Sequence, residues 1–71
     1  MNKTLINIKA LYNEMGKSEK KIADWVMLHP TEILPISISE LAEKSNSSEA
    51  TIVRFSRRLG FSGFQDFKIS F

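Results

Sequence analysis

The chain contains no cysteine. Disulfides and thiolate metal sites are therefore excluded, and a reducing, cytoplasmic location fits. Its one histidine, His29, precedes Pro30 with no metal-ligand spacing around it, so a helix C-cap is its natural role. Its three glycines do not fall at the spacing of a phosphate-cradling loop, and no low-complexity linker is evident. No nucleophile–base pairing is evident. These absences leave no support for an enzyme, a metal site or a cofactor.

Long hydrophobic runs are missing too. None approaches the ~20 residues that a membrane span needs. The opening MNKTLINIKALYNEM has interrupted hydrophobicity and no small-residue cleavage site, so it does not read as a signal peptide. Its amphipathic pattern, with Lys3 and Lys9, suits core or dimer packing better than a membrane surface.

What remains is a chain of 71 residues, 42% hydrophobic and 25% charged, the composition of one small folded domain. Such a chain buries only about 60% of its unfolded surface, so its stability is marginal. The net charge of +2 does not by itself point to nucleic acid. Its distribution is more informative. From Val53 onward the charged residues are Arg54, Arg57, Arg58, Asp66 and Lys68, while the earlier part is close to neutral.

Apolar residues recur at helical spacing, and no segment alternates as a strand. Leu5, Ile8, Leu11, Tyr12 and Met15 predict a first helix from Thr4, its cap, to Met15, before Gly16. Ser18 is expected to cap a second helix, with Glu19 in its first turn and Ile22, Trp25, Val26 and His29 on one face. Pro30 stops it, and a short turn follows over 31–34. Ser37 and Glu40 form a capping box for a helix to Lys44, with Ile38, Leu41 and Ala42 inward. The polar link Ser45-Asn46-Ser47 breaks it. Ser48 caps a longer helix to Leu59, Gly60 ends it, and Phe61 folds back onto its end. Ser62 caps a last helix carrying Phe64, Phe67 and Phe71. The expected fold is all-α, a compact bundle of about five helices.

The segment after Ser48 carries the functional signal. With Ala50 at zero and about 100° per residue, Arg57, Arg54 and Arg58 fall at about −20°, 40° and 80°. Phe55, Leu59 and Ile52 fall at about 140°, 180° and 200°. One face is basic and the other is greasy. A short helix, a tight turn in which Asn46 takes a left-handed backbone, and this second helix make a homeodomain-like helix-turn-helix over 37–59.

Duplex DNA gives that arrangement a mechanism, since a second helix of this kind enters the major groove. Ser47, Ser48 and Thr51 offer hydroxyls to phosphate or bases. Glu49 can accept from a cytosine amino group or simply favour the helix N-terminus. Ala50 and Val53 suit a thymine methyl. Arg54 is the candidate for guanine or an adjacent phosphate, and Arg57 and Arg58 for phosphate clamps. The plainer alternative is that Arg57 and Arg58 only complement the helix dipole. Lys17, Lys20 and Lys21 read as a solvated face. The five phenylalanines read as core rather than as a base-stacking platform, with Ile69 and Phe71 exposed at the end.

The stretch ISISELAEKSNSSEATIVRFSRRLGFSGFQDFK resembles the N-terminal helix-turn-helix domain of the RpiR family of bacterial transcriptional regulators. SISELA, SEATIVRFSRRLGF and SGFQDFK carry the likeness, and KSEKKIADWVMLHP extends it upstream. The resemblance implies operator binding, with Thr51 and Arg54 in matching places. It also implies a following sugar-isomerase-type domain that senses phosphorylated sugars. That domain is absent here, so the chain is expected to be the N-terminal fragment of a longer protein. The family's turn is commonly Gly-Val; Asn46-Ser47 replaces it, and the loss of the apolar plug predicts a looser turn.

The expected partners are double-stranded DNA, a second copy of the chain, and a phosphosugar effector held only by the absent domain. A homodimer is expected because one recognition helix reads too few base pairs. The competing function is a helical protein-interaction module built on the last helix and its phenylalanines. Retardation of operator DNA in a gel separates the two.

Overall fold

Each helix forms where the sequence offers a start signal and a stop. The computed structural model describes residues 2–71, and no strand occurs among them. The helices are α1 (Lys3–Leu11), α2 (Lys17–Leu28), α3 (Ile38–Lys44), α4 (Glu49–Arg58) and α5 (Phe64–Ile69). Short 3-10 turns occupy Tyr12–Glu14 and Pro30–Glu32. Among the described residues, no helix is long and apolar enough to cross a membrane.

Three starts differ from the sequence expectation. Asn2, not Thr4, caps α1: its side-chain oxygen accepts from the N–H groups of Thr4 at 2.7 Å and Leu5 at 3.3 Å. Asn is at least as good a cap as Thr and stands in the right place. Thr4 is instead buried in the first turn, where its hydroxyl donates to Ser70 Oγ at 2.8 Å. Ser18 lies inside α2, whose N-cap is Gly16. Glu19 makes that start by reaching back to the Gly16 N–H at 3.2 Å. Ser62 does not cap α5 either, since Gly63 holds that position. Ser62 donates its hydroxyl to the Asp66 carboxylate instead.

The ends differ in one place and agree in others. α1 stops at Leu11, and the rest of the expected helix tightens into the 3-10 turn, closed by Met15 N–H to Tyr12 O at 3.1 Å. α2 ends at Leu28 with His29 as its C-cap. The turn after Pro30 is also 3-10, starting one residue earlier than expected.

α3 and α4 close by the same device. Asn46 N–H bonds Glu43 O at 3.2 Å and Ser47 N–H bonds Ala42 O at 2.9 Å. Gly60 N–H bonds Arg57 O at 2.9 Å and Phe61 N–H bonds Ser56 O at 3.1 Å. Both are Schellman closures, which need a left-handed residue after the C-cap. Asn46 (φ 55°) and Gly60 (φ 96°) supply it. Ser47 does not open the turn, because its hydroxyl pairs with Ser45 Oγ at 2.8 Å, and Ser45 donates on to Leu41 O at 2.6 Å. Asn46→Ala should destabilise the fold by about 1 kcal/mol while Asn46→Gly is near neutral. Chemical-denaturation midpoints of the two variants check this.

The core sits between the helices rather than at one end. Ile8, Ile22, Val26, Ile33, Leu41, Ile52, Phe55 and Phe67 are fully buried in one cluster. α4 packs on α2, α3 and α5 together, so it is the hub of the bundle. Phe67 joins the aromatic layer, edge-on to Phe55, Phe61 and Phe71 at 5.6, 5.9 and 5.3 Å between ring centres. Phe71 is therefore half-buried rather than exposed, whereas Ile69 stands 70% exposed. Trp25 is half-buried and stacks on His29 with ring centres 4.3 Å apart. His29 Nδ1 lies 2.9 Å from Trp25 O. Ile38 and Ala42 are half-buried against the core, while Leu41 is fully inside.

Candidate nucleic-acid interface

The capping box at Ser37 forms as both of its hydrogen bonds, Glu40 N–H to Ser37 Oγ at 3.1 Å and Ser37 N–H to Glu40 Oε1 at 3.2 Å. It fixes the start of α3, and the left-handed Asn46 fixes the exit. α4 then leaves the turn with its greasy face committed. Ile52, Phe55 and Ser56 are fully buried, and the Ser56 hydroxyl is satisfied by Ile52 O at 2.9 Å.

The opposite face is open. Ser48, Glu49, Ala50, Arg54 and Arg57 are all exposed. Ser48 is the N-cap of α4, its Oγ accepting from the Thr51 N–H at 3.2 Å. Glu49 is held by α3: Ser39 Oγ donates to its Oε2 at 2.8 Å. That contact aims the Glu49 carboxylate, and Ser39 escaped the sequence reading because ten positions separate the two. Val53 is half-buried beside this face.

Three expected site residues are placed differently from the rest. Thr51 is buried, and its hydroxyl is engaged with Ser48 Oγ at 2.8 Å, so it shapes the helix start from inside. Ser47 is half-buried within the hydroxyl chain of the turn. Arg58 turns toward α2, where its Nε donates to Glu19 Oε2 at 2.9 Å. By contrast Arg57 has only a long contact, Nε to Ser62 O at 3.4 Å.

Glu19 was legible only as a first-turn carboxylate. Its partner lies 39 positions away, which no local pattern reveals. Burial pushes the Glu19 carboxyl up. The hydrogen bonds from Arg58 and the Gly16 N–H, with the nearby charges of Arg58 and Arg54, outweigh that and hold it below its ordinary value. The hydrogen bond and charge of Glu19 in turn raise Arg58.

A short capped helix, a left-handed turn and a second helix with a buried apolar side and an open basic side define a helix-turn-helix domain. It is the class of fold that transcriptional regulators lay against duplex DNA.

Comparison with known proteins gives the family. A model of the helix-turn-helix domain of the rpiR family matches residues 2–71. The chain belongs to that family. It is 46% identical over 65 residues to an HTH-type transcriptional regulator of Haemophilus influenzae, a match covering 92% of this chain and 23% of that protein. It is 35% identical over 69 residues to the HTH-type transcriptional regulator HexR of Pseudomonas aeruginosa, covering 97% of this chain and 24% of that one. The chain thus spans about a quarter of the length of these relatives. Its fold superposes on the crystal structure of the N-terminal domain of the Bacillus subtilis regulator ybbH with a TM-score of 0.90 at 32% identity. That likeness covers 97% of this chain and 84% of the other.

Proposed function

We propose that this chain is the N-terminal, operator-binding domain of a longer regulator and reads duplex DNA with the exposed face of α4. The observation that carries the reading is the two-sidedness of that helix: Ser48, Glu49, Ala50, Arg54 and Arg57 face solvent while Ile52 and Phe55 are fully buried. Ser48, Glu49 and Ala50 lie at the helix start, where base edges are met. Arg54 follows one turn on, as a guanine or phosphate partner, and Arg57 clamps phosphate.

The regulator acts as a homodimer on paired half-sites about 34 Å apart, since one helix reads few base pairs. It controls sugar-metabolism genes from the cytoplasm, in response to a phosphosugar bound by a further domain. The effector rests on the resemblance to RpiR regulators, whose members usually carry such a sensing domain, and the dimer on the short reach of one recognition helix.

Selection of bound sequences from a random duplex library with the full-length protein tests the reading. Enrichment of a symmetric site is expected. Affinity for that site should fall with salt at a log–log slope of about −0.9 per phosphate contacted. No enrichment, together with no gel retardation at low salt, would overturn it.

A further inference from the structure

The three arginines of α4 are not equivalent. Arg54 is exposed, and Arg57 reaches a carbonyl only at 3.4 Å. Arg58 is joined to Glu19 at 2.9 Å, the one ion pair among the described residues. Its side chain keeps 35% of its exposure while that of Glu19 keeps 5%. A phosphate could approach this guanidinium only by competing with a carboxylate already in place.

That competition is unequal. Removing the cation would leave a buried carboxylate with the Gly16 N–H as its remaining hydrogen-bond donor, and an ionised group stripped of its partner in a buried site is strongly disfavoured. It would also leave a negative charge beside the incoming phosphate. Arg57 has no such attachment and can move to the backbone freely. The same Glu19 carboxylate closes the first turn of α2 through its other oxygen. It therefore ties the start of α2 to the end of α4.

We propose that Glu19 is a positioning residue for DNA binding: it withholds Arg58 from the phosphates and fixes the C-terminal end of α4 on α2. This inference rests on the reading of α4 as the DNA-facing helix. It divides the basic face into a working pair, Arg54 and Arg57, and a structural third. It also reduces the cations available to the backbone at that helix from three to two.

The salt dependence of binding to the selected operator duplex, followed by fluorescence anisotropy, reads the division directly. The variants are Arg57→Gln, Arg58→Gln, Glu19→Gln and the double variant Glu19→Gln/Arg58→Gln. Arg57→Gln should flatten the log–log slope by about 0.9, and Arg58→Gln should leave it unchanged. Glu19→Gln keeps an acceptor for Gly16 but frees Arg58, so the slope should steepen by about 0.9. The double variant should return it to the parent value, a reversal that a loss of fold would not produce. If Arg58→Gln flattens the slope as Arg57→Gln does, or Glu19→Gln leaves it unchanged, the inference is overturned. Should Glu19→Gln fail to fold, Arg58→Gln alone decides. Loss of salt-dependent binding by the unaltered chain would defeat the DNA reading itself, and this inference with it.

Discussion

Phe67→Ala is expected to remove a large share of the stability of the fold. Phe67 is fully buried and meets four other rings, with Phe64 tilted against it at 6.3 Å beside the three edge-on partners. Truncating a buried phenylalanine costs about 3–5 kcal/mol. A domain of this length holds only about 4–10 kcal/mol in total. The melting midpoint followed by circular dichroism should therefore drop by about 15–30 °C. Ile69→Ala, at a position 70% exposed on the same helix, is the control and should shift stability by about 0.5 kcal/mol or less. Equal melts for the two variants would mean that α5 does not dock on α4 through Phe67.

Arg54→Ala should leave the melt alone and weaken operator binding by about 1–3 kcal/mol, or about 5- to 150-fold. The side chain is exposed and lies on the open face one turn after the Ser48 cap. Its one link to the interior is its charge near the buried Glu19 carboxylate, which Arg58 holds directly, so fold and affinity should separate. Binding to the selected site and to a scrambled duplex, measured side by side, distinguishes its role. Loss on the selected site alone marks a base contact, and equal loss on both marks a phosphate contact. Unchanged affinity on both would remove Arg54 from the interface.

The helix-turn-helix was legible because its signals are local. Ser37 and Glu40 are three positions apart, Asn46 and Gly60 follow their helices directly, and one 3.6-residue period puts Ile52 and Phe55 opposite Arg54. The departures have a common cause. Thr4 has the residue type of a cap, but Asn2 starts the helix two positions earlier by accepting from the Thr4 and Leu5 N–H groups, and Thr4 has a partner at the far end of the chain. Ser18 looked like a cap, but the Glu19 carboxylate reached further back than a hydroxyl can. Thr51 falls at the border of the two faces of α4, where angle alone does not assign a side; its bond to Ser48 settles it inward. Arg58 sits within the basic arc, and only the packing of α2 beside it turns it away. Local grammar placed the helices, while polar groups that meet across the fold decided what each side chain is free to do.

The meeting of Asn2 and Thr4 with Ser70 carries a consequence for how the chain folds. Asn2 Nδ2 donates to Ser70 O at 2.9 Å across 68 positions, and the Thr4 hydroxyl reaches Ser70 across 66. Closing so long a loop is entropically unfavourable until most of it is already ordered. The short-range helical contacts should form first, and this clasp last. On the ribosome α1 would wait, capped but unfastened, until α5 had been made and docked.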